Sequence, residues 1–161
     1  MTDALRQFIL SHRREDGFIE GRLSSSAVST AVACVALELF GGHDDAVEAG
    51  RTWLLEHNNT DGLYGDSPES PPNLTATFLA YAALRSTRAD AVSKAEDYLK
   101  KTFGGLDFAS VRAGLLKEYG KDLTFSVPLL ALATASGFFP DAADAWRRMP
   151  NFPFEAVLLP E

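Results

Sequence analysis

The sequence predicts an all-α fold of antiparallel helix pairs in two layers, and three observations carry that prediction. The eight prolines stand at 68, 71, 72, 128, 140, 150, 153 and 160, which leaves 1–67 and 73–127 free of helix breakers. Apolar residues recur at helical spacing, with Leu5, Phe8, Ile9 and His12 on one face. The chain also repeats itself at an offset of 45 residues. Phe8-Ile9-Leu10-Ser11-His12 aligns with Trp53-Leu54-Leu55-Glu56-His57, Asp16-Gly17 with Asp61-Gly62, and Tyr98-Leu99 falls one period further on.

Each helix has readable ends. The first is expected over 2–12, with Thr2 as N-cap and Asp3 in the first turn. A loop with Gly17 and Gly21 follows. The second starts at Ser24-Ser25-Ser26 and runs to 40, where Gly41-Gly42 ends it. Its Ala27, Ala31, Ala33 and Ala36 would let a neighbouring backbone come close. The third covers 45–57, followed by a loop holding Gly62 and Gly65. Pro71-Pro72-Asn73 opens the fourth, with Asn73 as N-cap, and it runs to 85. The fifth covers 89–102, and Gly104-Gly105 stops it; the sixth runs from an Asp107 N-cap to 119, with Gly120 just beyond. The seventh covers 124–136 and tolerates Pro128 only within its first turn. A short eighth helix is expected over 141–148, and an apolar, proline-bounded segment occupies 151–161.

Past the glycine loop the repeat slips by two residues, so that Thr30-Ala31-Val32-Ala33-Cys34-Val35-Ala36-Leu37 matches Thr77-Phe78-Leu79-Ala80-Tyr81-Ala82-Ala83-Leu84. Each unit is a helix, a glycine loop and a helix rich in small residues. One such pair cannot bury its apolar face alone, so neighbouring units stack. The 161 residues therefore read as one domain, 1–161, of about four helix pairs. Trp53, at helical spacing with Val47, Gly50 and Leu54, is expected in the core.

Composition narrows the function classes. The chain is 46% hydrophobic and 23% charged, enough to bury a core. A net charge of -7 repels phosphate backbones and gives no polybasic attraction to anionic lipid, which excludes nucleic acid as a partner. The single cysteine, Cys34, lies in an apolar run and reads as a small buried thiol. No His/Cys cluster has zinc spacing. The N-terminus lacks the basic n-region of a signal peptide, and the longest apolar runs, 27–37 and 127–139, fall short of the roughly 20 residues of a membrane span. A cytoplasmic location is the default expectation.

The repeats resemble those of the triterpene cyclases of the squalene–hopene cyclase family. The family's QW repeat places an aromatic and an aliphatic residue, then Gln, Gly and Trp at fixed spacing. The first copy here has Phe8-Ile9, Arg13 in the Gln position, Gly17, and Ile19 in the Trp position. The second has Gly50, Trp53-Leu54, Asn58 for Gln, Gly62, and Tyr64 for Trp. Three further segments resemble family segments in the same order: Gly21-Arg22-Leu23-Ser24-Ser25-Ser26-Ala27, Gly120-Lys121-Asp122-Leu123-Thr124-Phe125-Ser126-Val127-Pro128 and Pro150-Asn151-Phe152-Pro153-Phe154-Glu155.

That resemblance implies an incomplete α/α-barrel of terpenoid cyclase type. A closed barrel of six helix pairs needs roughly 240 residues, more than this chain has. It also implies an isoprenoid or other apolar ligand, peripheral contact with a membrane, and squalene-type intramolecular cyclisation, an isomerase chemistry needing neither cofactor nor metal. In the family the middle Asp of an Asp-x-Asp-Asp motif protonates an alkene, and aromatic faces stabilise the migrating cation. The chain contains no Asp-x-Asp-Asp, so the resemblance assigns it no catalytic residue. Phe125 matches a helix that contributes a cavity-lining aromatic and is the one substrate-cavity candidate.

Other motifs have plainer readings. Asp44-Asp45-Ala46-Val47-Glu48 has the DDxxE form of a magnesium–diphosphate motif, yet no second metal motif accompanies it, and a helix N-terminus favours such charge. His12 and His57 occupy equivalent repeat positions, which suggests a structural role in holding the loop that follows. Arg147-Arg148 is too short for a phosphate patch. Asp61-Gly62-Leu63-Tyr64-Gly65-Asp66 looks like a calcium-loop fragment but completes no EF-hand and reads as the repeat's turn.

Two function classes follow. The first is the N-terminal barrel part of a class II triterpene cyclase, inactive alone and completed by the remainder of a longer chain. The second is a free-standing, non-catalytic module that binds an isoprenoid or a protein. Phe152, Phe154, Val157, Leu158 and Leu159 have no later helix to cover them, so a homo-oligomer is expected.

Overall fold

The computed structural model describes residues 2–19, 21, 23–59, 61–120 and 123–150. These residues are all-helical: α1 (Thr2–Ser11), α2 (Ala27–Phe40), α3 (Asp44–Glu56), α4 (Leu74–Leu84), a short 3₁₀ turn (Ala89–Val92), α5 (Ser93–Phe103), α6 (Phe108–Tyr119), α7 (Leu123–Ala135) and α8 (Ala142–Arg148). The expected boundaries hold to within a few residues. The main difference is at the fifth helix, whose first turn tightens to 3₁₀ over Ala89–Val92. The C-terminal apolar face expected at Phe152, Phe154, Val157, Leu158 and Leu159 lies outside the described residues.

Side-chain caps fix several helix starts. Ser26 accepts a hydrogen bond from Ser29 N at 3.2 Å, and Asn73 accepts from Ala76 N at 2.8 Å. Asp107 accepts from Ala109 N and Ser110 N and also takes the Ser110 hydroxyl at 2.6 Å. These bonds, the hydroxyl's first, hold the Asp107 carboxyl below its ordinary pKa. Pro128 departs from expectation: it sits in the second turn of α7, not the first. Its exposed position lets water reach the helix where a ladder N–H is missing.

The core is centred on α4, which meets α2, α3, α5 and α7. Except for Thr75, every residue from Leu74 to Leu84 is buried, as expected of a helix that is apolar all round. The α2–α3 contact is close because Gly50 has no side chain: a Cβ there would lie 2.5 Å from Cys34 Sγ. Cys34 is buried in that contact, and burial raises its thiol pKa. Of the four alanines on α2, Ala27 and Ala31 are buried while Ala33 and Ala36 face solvent.

Arg51 ties three helices together. Only 6% exposed, it donates from Nε to the Ala83 carbonyl at 3.0 Å and from Nη2 to Glu38 at 2.7 Å. Trp53 is not a core residue as expected; it is partly buried and packs against the core edge. The buried register of α3 is Val47, Arg51 and Leu54, one step round the helix from Trp53. Phe8, its equivalent in the first repeat, is 61% exposed.

Candidate functional site

The repeat's glycine loops have one geometry in both copies. Arg14 N donates to Phe18 O at 2.8 Å and Gly17 N to Arg14 O at 3.0 Å; 45 residues on, Asn59 N donates to Leu63 O at 2.9 Å and Gly62 N to Asn59 O at 2.9 Å. Gly17 and Gly62 have φ of 91° and 71°, a region costly for any residue with a Cβ. The positions replacing Gln and Trp still meet. Arg13 and Ile19 pair as an isolated antiparallel bridge, and Asn58 Nδ2 donates to Leu55 O at 2.7 Å. Tyr64 is 2% exposed, and burial, tempered by Asn58, pushes its hydroxyl pKa up to about 12. Its backbone is held by Thr77, whose hydroxyl accepts from Tyr64 N at 3.1 Å and donates to Tyr64 O at 3.2 Å.

His12 and His57 do not hold the following loop. Each Nδ1 lies 2.8 Å from the carbonyl oxygen four residues back, of Phe8 and Trp53, and each ring lies against that residue's aromatic ring. They secure the helix end.

The second repeat leads into a cleft of about 350 Å³ between the start of α4, the end of α6 and the start of α7. Val28, Leu74, Tyr119 and Phe125 give it apolar and aromatic walls, and Asp66 and Asn73 form part of its polar rim. Phe125 is 59% exposed and stacks on Tyr119, with ring centroids 5.7 Å apart and planes 18° from parallel. The Tyr119 hydroxyl bonds Thr75 on α4, which fixes the stack to the central helix. Asn73 Nδ2 donates to Asp66 at 2.9 Å while its oxygen caps α4. An aromatic face exposed at an apolar cleft can receive a hydrocarbon or attract a cation.

Phe125 is thus a cleft residue on α7, though it faces an open cleft and not a closed cavity. Sequence reading missed Tyr119, Thr75 and Val28. The Tyr119–Phe125 pairing across Gly120 offered only a weak signal, because the six-residue separation spans a helix end. Among the described residues no group of three or more His, Cys, Asp or Glu side chains is placed to hold a metal ion. Asp44 and Asp45 lie in the first turn of α3, and Glu48 is ion-paired with Arg88. In the loop after α3, Asn59 Oδ1 accepts from Asp61 N and Leu63 N, a local turn. No helix among the described residues is long and apolar enough to cross a membrane.

Comparison with known proteins adds the family. The squalene–hopene cyclase N-terminal domain matches over residues 2–112. A squalene–hopene cyclase of Alicyclobacillus acidocaldarius subsp. acidocaldarius is 27% identical over 158 residues, which is 98% of this chain and 22% of that protein. The chain thus spans about a fifth of the relative's length. No solved structure matches. With the family's N-terminal domain matched over more than half of the chain, on top of the repeated helix–loop–helix geometry, the chain belongs to the squalene–hopene cyclase family through its N-terminal domain.

Proposed function

We propose that this chain is the N-terminal helical part of a class II triterpene cyclase and is inactive by itself. The observation that carries the reading is the family match over 2–112, joined to a repeat whose loops keep one hydrogen-bonding pattern in both copies. The reaction begins when a carboxylic acid adds a proton to a terminal alkene carbon. The cation then migrates as rings form, and it is quenched by loss of a proton or capture of water. The acid must be neutral in a dry pocket, and this chain has no Asp-x-Asp-Asp to supply it. Its own contribution is scaffold and wall. Phe125, supported on Tyr119, is the residue proposed to present an aromatic face to an isoprenoid chain or to its developing cation. The acid would come from the remainder of a longer cyclase, which is also the proposed partner.

The test is a chimera in which this chain replaces the matching segment of the A. acidocaldarius cyclase, assayed with squalene by gas chromatography. The chain alone should give no polycyclic product, and the chimera should give one. The Phe125→Ala chimera should shift the product distribution or slow turnover. Enzyme-dependent polycycles from the chain alone would overturn the reading, as would a folded chimera with no activity.

A further inference from the structure

The first repeat has the internal geometry of the second without its packing. Its helix-end histidine contact and the two backbone bonds of its glycine loop match their counterparts. Yet Leu54 and Tyr64 are buried, while Ile9 and Ile19, which stand in for them, are 43% and 53% exposed. The described side chains of α1 are all exposed, Leu5, Phe8 and Leu10 among them. A helix of ten residues is marginal in water without tertiary packing, so such a helix needs a surface to lie on.

That surface is identified by the repeat. Arg51 fastens α3 to α4 by donating to the Ala83 carbonyl. Arg6 lies 45 residues before Arg51, and Ala36 lies 47 before Ala83, with the same two-residue slip that relates the two second helices. Val32, Ala33 and Ala36 are exposed on α2, while their counterparts Leu79, Ala80 and Ala83 are buried on α4. The connections are equivalent in reach: 15 residues separate α1 from α2, and 17 separate α3 from α4. A carbonyl has two lone pairs, so Ala36 can accept a side-chain donor in addition to its helix bond.

We propose that α1 closes onto α2 of its own chain. Arg6 then donates to the Ala36 carbonyl as Arg51 does to Ala83, and Ile9 is covered against α2. The helix α1 is a strap poised to close on α2.

Amide hydrogen exchange on the whole chain tests it, with α4 amides as the control for global folding. In the wild type, amides of residues 6–11 should exchange at least about ten-fold more slowly than free-peptide rates. Arg6→Ala should remove most of that protection and leave α3 and α4 unchanged. Ile9→Asp, which keeps Arg6, should do the same. Free-peptide rates over 6–11 in the wild type would overturn the proposal, as would unchanged protection in both variants. Protection of α1 that rises with protein concentration would assign the cover to a second copy and also overturn it.

Discussion

The His57 ring lies flat on Trp53, with centroids 4.3 Å apart and planes 14° from parallel, while its Nδ1 sits 2.8 Å from the Trp53 carbonyl oxygen. One side chain thus closes a helix end and covers an aromatic face. Thr102 takes the equivalent place in the third repeat, its hydroxyl 2.8 Å from the Tyr98 carbonyl. His57→Ala is expected to destabilise the protein by about 1–2 kcal/mol, the sum of a helix-end hydrogen bond and an aromatic contact. Urea unfolding measures it. His57→Asn should recover part of the loss by keeping a donor.

The repeat and the helix ends were legible because both are local: a cap needs its neighbours three residues on, and a 45-residue offset needs only identities. What the equivalent positions do was less legible. Phe8, Trp53 and Tyr98 align, yet Phe8 is exposed while Trp53 and Tyr98 are partly buried against the core. Cleft residues were harder still. Tyr119 and Thr75 are 44 residues apart, and one hydrogen bond joins them between the end of α6 and the start of α4.

Trp53→Ala tests the position of this ring. A fully buried Trp would cost roughly 3–5 kcal/mol, but Trp53 is partly buried, so about 1–3 kcal/mol is expected. A loss at or above 5 kcal/mol in chemical denaturation would contradict the observed packing.

Gly50→Ala tests the close approach of α2 and α3. The added methyl would meet Cys34 Sγ at 2.5 Å, so one helix must shift, at about 1–3 kcal/mol. Cys34→Ala removes the obstructing sulfur. The double variant should therefore be more stable than Gly50→Ala alone, a coupling of at least about 0.5 kcal/mol in a double-mutant cycle.

Arg51 tests whether the directed bond to Ala83 or the charge alone stabilises the junction of α2, α3 and α4. Arg51→Lys keeps the charge but has no second nitrogen to reach Ala83 while pairing Glu38. The lysine variant should lose about 1–3 kcal/mol, mostly from the buried carbonyl left without its donor. A lysine variant as stable as wild type would show that the Glu38 ion pair alone suffices.

Alkaline titration separates the tyrosines. Burial pushes Tyr64 up to about 12; burial, followed by the Glu96 charge and its hydrogen bond, pushes Tyr81 up to about 12. In the unfolded chain both ionise near an ordinary value of about 10. The native state therefore holds protons that the unfolded state has released, and by linkage stability falls as pH rises above about 10. Their contribution is complete below that pH and is lost progressively towards about 12. Absorbance at the tyrosinate band should show Tyr64 and Tyr81 ionising well above pH 10 in the folded protein. Tyr64→Phe and Tyr81→Phe should each remove one late-titrating group and flatten the alkaline loss of stability. Tyrosinate absorbance lowered near pH 10 by either Phe substitution would mean that the replaced ring does not titrate late and would contradict its burial.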